Sequence, residues 1–125
     1  KLLLVEDNQI NMMVAKKILT GFKAEVTPAF DGAEALAALI KNPDFDIILM
    51  DLEMPVMDGF TAIHEVKRLY PEIPVIAFTA SLVDKKMLSD LIASGFFDCM
   101  LKPFQPLQLL SDIKKYLSKP LQPVA

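Results

Sequence analysis

The sequence has 125 residues, with 13 lysines and arginines against 16 aspartates and glutamates, giving a formal net charge of −3. One ordinary domain fits that length, and the acidic balance argues against direct nucleic-acid binding, which needs a basic patch to neutralise phosphates. Hydrophobic residues make up 53% of the chain, too many for a disordered segment. The longest unbroken apolar run, Ala35 to Ile40, is far short of the roughly 20 residues of a membrane-spanning helix.

In chain order, Leu2 to Glu6 reads as a short apolar strand. Glu6 and Asp7 interrupt it at once, so no signal peptide is expected. Ile10, Val14 and Ile18 recur at helical spacing, and Gly21 is the expected stop. Ala24 to Ala29 is a second strand. Asp31 is placed to cap a helix carrying Leu36, Leu39 and Ile40, which Asn42-Pro43 ends. Asp46 to Asp51 contains the run Ile47-Ile48-Leu49-Met50, apolar on both faces. A helix over Gly59 to Tyr70 turns Ile63, Val66 and Leu69 inward. Pro74 to Phe78 is a fourth strand. Leu82 to Ser94 is a helix with Leu88, Leu91 and Ile92 inward, stopped by Gly95. Phe97 to Leu101 is a fifth strand, and Pro106 suits the first turn of a last helix over Pro106 to Leu117. Residues 1–117 form the expected domain, and 118–125, with two prolines, a frayed tail.

Continuous apolar strands alternating with amphipathic helices imply a parallel sheet covered on both faces. Ligands of such sheets bind at the carboxyl ends of the strands. Those ends carry Glu6-Asp7, Asp51, Thr79-Ala80 and Lys102-Pro103. Three carboxylates brought together repel one another unless something positive intervenes. With only oxygen donors on offer, a hard divalent cation is selected, most plausibly Mg²⁺. Lys102 adds a positive charge and Thr79 a hydroxyl donor, so the edge is suited to a transferring phosphoryl group. The Asp51 carboxylate has the character of a nucleophile that forms an aspartyl phosphate.

Four segments, Val5-Glu6-Asp7-Asn8, Asp51 to Gly59, Phe78-Thr79-Ala80 and Lys102-Pro103-Phe104, each sit at a strand end in the right order. Together they resemble the receiver domain of two-component response regulators, over Leu2 to about Leu117. The resemblance implies a flavodoxin-like (βα)5 fold with a five-stranded parallel sheet of order 2-1-3-4-5. It implies Asp51 as phosphoacceptor, and Asp7 as a direct Mg²⁺ ligand with Glu6 acting through water. Glu53 would lend its backbone carbonyl to the metal, Thr79 would be the switch hydroxyl, and Lys102 the ion-pairing lysine. Glu53 and Ser81 stand where the family tunes hydrolysis. One position departs: the family's aromatic switch residue, three before the lysine, is Cys99 here. Phe97, two residues earlier with the same strand parity, is the candidate substitute.

The resemblance also implies a phosphohistidine donor, on a histidine kinase or a histidine phosphotransfer domain, and a monomer or phosphorylation-dependent dimer. Such a domain catalyses only its own phosphorylation and slow dephosphorylation. Glu6-Asp7-Asn8 with Asn11, and Met54 to Gly59, are similar to receivers of hybrid sensor histidine kinases. The alternatives are a receiver-like docking module that is not phosphorylated, an aspartate-dependent phosphohydrolase and a flavin or nucleotide module. The phosphohydrolase ordinarily has its nucleophile on the first strand and a substrate cap. The flavin module needs a Gly/Ser/Thr phosphate loop where this chain has Glu6-Asp7-Asn8-Gln9.

The remaining reactive residues have plain readings. His64, the only histidine, is expected on a solvent face. Cys99, the only cysteine, excludes an intrachain disulfide and is expected to be a small core residue rather than a redox thiol. Lys85-Lys86 and Lys114-Lys115 read as solvated helix faces. The expected compartment is the cytoplasm, without membrane contact by this domain.

Overall fold

A computed structural model describes residues 1–52, 59–79, 84–101 and 105–118, with the backbone alone at 59, 60 and 116–118. Strands and helices alternate: β1 (Leu2–Val5), α1 (Gln9–Gly21), β2 (Val26–Ala29), α2 (Gly32–Lys41), β3 (Ile47–Asp51), α3 (Gly59–Leu69), β4 (Val75–Thr79), α4 (Lys85–Ser94), β5 (Asp98–Leu101) and α5 (Pro106–Ser118). The strands form one sheet of order β2-β1-β3-β4-β5, and every neighbouring pair is parallel. This is the flavodoxin-like order expected from the sequence. The tail at 119–125 lies outside the described residues.

β1, β3 and β4 are buried along their whole length, because helices cover both faces of the sheet. One layer packs Met12, Ala15 and Leu19 of α1 and Leu109 and Ile113 of α5 against Leu2, Leu4, Ile47, Leu49, Ile76 and Phe78. The other packs α2, α3 and α4, through Leu39, Ile63, Val66 and Leu91, against Leu3, Val5, Ile48, Met50, Val75 and Ala77. Alternation along each strand therefore decides which helices it touches. Pro28 sits in β2, opposite Leu4. It is tolerated there because β2 is an edge strand.

The helix starts follow sequence chemistry. The Asn8 side chain accepts from the Asn11 N–H at 3.0 Å, and Asp31 accepts from the Glu34 N–H at 2.8 Å. Glu34 reaches back to the Phe30 N–H at 3.3 Å, so Asp31 and Glu34 satisfy donors at the same helix end. Asp84 caps α4 through the Met87 N–H at 2.8 Å.

Two features of α1 add to the sequence reading. Ile10 and Val14 face solvent, with Ile10 67% exposed, while Met12, Ala15 and Leu19 are buried. A stripe at strict four-residue spacing drifts around a helix of 3.6 residues per turn, and the buried stripe lies on the other side. α1 ends at Gly21, as expected, and the left-handed residue that turns the chain is Lys23, at φ 67°. The Lys23 N–H bonds the Thr20 carbonyl at 2.9 Å and the Ala24 N–H the Leu19 carbonyl at 3.2 Å, a Schellman end with a lysine where glycine is usual. On other helices, Ile40, Leu69 and Ile92 are exposed rather than inward.

At the amino-terminal edge of the sheet, α1 and α5 flank a cavity of about 250 Å³ lined by Lys1, Leu19, Phe22, Ile47, Ile113 and Lys114 among others. It lies at the opposite end of β1 from Glu6 and Asp7.

A Cβ added at Gly21 meets nothing within 4 Å. Gly21→Ala is therefore expected to raise stability by about 0.5–1 kcal/mol, through lower backbone entropy in the unfolded chain. Urea unfolding checks this; a lower midpoint than wild type would contradict it.

Candidate functional site

The sheet brings together what the sequence separates. The β1–β3 register ends at Val5↔Met50, so Glu6 leaves β1 beside Asp51, the last residue of β3. The β3–β4 register pairs Asp51 with Phe78, one residue before Thr79. Thr79 in turn pairs with Leu101 at the end of β5. Four consecutive sheet positions thus present Glu6-Asp7, Asp51, Thr79 and Leu101 at the carboxyl edge. The Glu6 N–H bonds the Ala29 carbonyl at 3.0 Å and the Leu52 N–H the Phe78 carbonyl at 3.2 Å, which carries sheet pairing to the rim.

Carboxylate oxygens of Glu6, Asp7 and Asp51 lie within 4.8 Å of one another. Glu6 and Asp51 are buried, at 1% and 3% exposure, and Thr79 at 2%. Asp7 is exposed and forms the open side. Like charges at such separations oppose each other by about 4 kcal/mol per pair at an effective dielectric near 20, so the cluster has a strong demand for positive charge. Oxygen-only donors, two buried and one open to solvent, fit a hard divalent ion that keeps several waters, as Mg²⁺ does. A thiophilic or imidazole-seeking metal has no matching donor here.

Because Asn8 caps α1, Glu6 and Asp7 are not needed for that task. Glu53 and Lys102, the two other expected site residues, lie outside the described residues, as do Ala80, Ser81, Pro103 and Phe104.

Cys99 is half-buried and packs against the α2–α3–α4 layer. Burial, followed by the neighbouring Asp98 charge, pushes its thiol pKa up, so it is a poor nucleophile. Phe97 is no substitute for the missing aromatic. It packs in the opposite layer, against the α1–α5 core. It precedes β5 rather than belonging to it, so strand parity does not extend to it. His64 is exposed on α3, and Lys85, Lys86, Lys114 and Lys115 are exposed as expected. Among the described residues, no helix is long and apolar enough to cross a membrane.

Residues 2–114 match the family model described as the response regulator receiver domain. The chain belongs to that family. The receiver is 39% identical over 117 residues to Two-component system protein A of Emericella nidulans, covering 91% of this chain and 17% of that protein. It is 35% identical over 120 residues to the chemotaxis protein CheY of Bacillus subtilis, covering 94% of this chain and 98% of that one. Its fold superposes, with a TM-score of 0.84 and 30% identity, on the receiver domain of a sensor histidine kinase from Pseudomonas aeruginosa, covering 94% of this chain and 97% of that chain. That structure holds a magnesium ion in its active-site cleft. This receiver spans 4% to 21% of the length of several curated relatives, hybrid signal transduction histidine kinases of Dictyostelium discoideum among them. It is a phosphoacceptor module of the CheY-like class.

Replacing Asp7 with Asn removes one carboxylate from the cluster. We expect Asp7→Asn to weaken Mg²⁺ binding at least about tenfold, by analogy with the loss on altering metal-supporting residues. Isothermal titration reads it directly; unchanged affinity would exclude Asp7 from the metal site.

Proposed function

We propose that Asp51 is the phosphoryl acceptor of this receiver and that Mg²⁺ held by Asp7, Glu6 and Asp51 assists it. The observation that carries this reading is the convergence of the three carboxylates at adjacent strand ends. In the transfer, a carboxylate oxygen of Asp51 attacks the phosphorus of a phosphohistidine. The O–P bond forms as the N–P bond breaks, and the electron pair stays on the imidazole nitrogen, which takes up a proton. Bound Mg²⁺ supplies charge neutralisation for the phosphoryl oxygens. The backbone carbonyl of Glu53 completes the oxygen set, and Lys102 pairs with the phosphoryl group once it is on Asp51. Thr79, buried one strand away, donates its hydroxyl to that group and so reports its presence. Cys99, a small thiol, replaces the aromatic partner of that switch.

The donor in this reading is a phosphohistidine on a histidine kinase or histidine phosphotransfer domain. Its reacting histidine must reach the edge where Asp51 lies, so the surface beside that edge has to be complementary. α1 begins there. It exposes Ile10 and Met13, at 67% and 63%, and Val14. A groove of about 470 Å³ between α1 and β2 adds Pro28 and Phe30, with Lys16 on its rim. A contiguous apolar patch of this kind marks an interaction surface, and it suits an apolar helix face with an acidic fringe. The working unit is residues 1–117, and the reading places it in the cytoplasm, where the lone thiol stays reduced. It also leaves the unphosphorylated domain monomeric.

Incubation with Mg²⁺ and acetyl phosphate is expected to add one phosphoryl group, read by intact mass. Asp51→Asn and chelation of the metal should each abolish it. No shift with acetyl phosphate, a phosphohistidine donor or beryllofluoride would instead identify a docking module that is not phosphorylated. Steady turnover of a phosphate ester would favour the phosphohydrolase.

Ile10→Asp tests the donor surface separately. Transfer from a phosphohistidine protein should slow at least tenfold, about the cost of placing a charge in an apolar contact. Labelling by acetyl phosphate should be unchanged. Equal transfer rates would remove α1 from the donor interface.

A further inference from the structure

The helices are not held equally. α1 buries Met12, Ala15 and Leu19 and α2 buries Gly32, Ala35 and Leu39, but α4 fully buries Leu91 alone. Its first turn leaves Lys85 and Lys86 exposed, and Met87 and Leu88 are half-buried.

The carboxyl end of α4 is different. Gly95 ends it at φ 118°. The Gly95 N–H bonds the Ile92 carbonyl at 3.1 Å and the Phe96 N–H the Leu91 carbonyl at 3.0 Å. That pair of bonds is a Schellman end, and buried Phe96 and Leu91 supply its apolar contact. Over it lies Lys67 of α3. A Cβ on Gly95 would stand 2.8 Å from the Lys67 Cγ and 3.3 Å from the Ile63 Cγ1. The Lys67 ammonium continues past Gly95 and donates to the Ile73 carbonyl at 2.7 Å and the Pro71 carbonyl at 3.4 Å. It thereby holds the turn that leads into β4. Burial lowers the pKa of this lysine from its ordinary value, consistent with a half-buried stem.

We propose that Lys67 and Gly95 form a clasp that fixes the carboxyl end of α4, so that this helix moves by pivoting about Gly95. Displacement is then greatest at the Lys85 end, which follows Thr79 in the chain through residues 80–83. Under the phosphoacceptor reading the pivot carries the Thr79 signal outward. The clasp itself is a property of the unmodified protein, so its test stands apart from that reading.

Amide hydrogen exchange on the unphosphorylated protein reads the asymmetry. In wild type, the Phe96 amide should exchange at least tenfold more slowly than that of Leu88, although both are hydrogen-bonded. Lys67→Met keeps most of the stem and removes the ammonium. It should speed exchange at Gly95 and Phe96 by about tenfold relative to Ile48 and Met50 of β3, the scale of losing a charged hydrogen bond. Lys67→Arg, which keeps the donors, should restore most of the protection. Referring the rates to β3 separates a local effect from global destabilisation. Equal protection at both ends of α4, or a Lys67→Met variant whose Gly95 and Phe96 amides keep their rates relative to β3, would overturn the clasp.

Discussion

The mutual repulsion of carboxylates gathered at one sheet edge governs the rest of this structure. Parallel strands put all their carboxyl ends on the same side, so Glu6, Asp7 and Asp51, far apart in sequence, arrive within 4.8 Å of one another. Three such groups brought together favour a compensating positive charge. The surrounding arrangement serves that edge. β3, buried from Ile47 to Asp51, presents Asp51 on a rigid strand. Asn8 caps α1 and leaves Glu6 and Asp7 available. The neighbouring strand ends with a buried hydroxyl, Thr79.

The two helical layers divide the work. The α1–α5 layer has α1 beginning next to the acidic edge, and its apolar residues are split between a buried stripe and an exposed one. The exposed stripe costs solubility and contributes nothing to the core, which is why it is best understood as a surface kept for contact. The α2–α3–α4 layer receives Ala77 and Cys99 from the strands nearest Thr79. That layer also holds α4, whose one fully buried residue is Leu91. Phe97 lies in the opposite layer.

Most of this was legible in the sequence because it depends on local pattern. Strand runs apolar on both faces required a doubly covered sheet, and acidic residues at strand ends marked the edge that suits a cation. The misses have physical causes. The spacing of Ile10, Val14 and Ile18 marked a helix without saying which face is buried, and the buried face is that of Met12, Ala15 and Leu19. α1 does end at Gly21, but the left-handed turn after it falls on Lys23, held by the bonds that close the helix, which no glycine signal could show. Phe97 was given strand parity although the strand begins at Asp98. Lys67 drew no attention, since a lysine on a helix is ordinarily solvated; only the absence of a side chain at Gly95, distant in sequence, lets it lie where it does.

The cavity between α1 and α5 has a geometric consequence. Lys1 and Lys114 both line it, so the start of β1 and the last turns of α5 lie side by side, at the end of the sheet remote from Asp51. Lys1 and the end of α5 at Ser118 therefore both lie on that rear face. The domain is thus shaped like a plug with both leads at its base. Chain that enters at Lys1 and leaves α5 at Ser118 does so without crossing the acidic rim, which faces the other way.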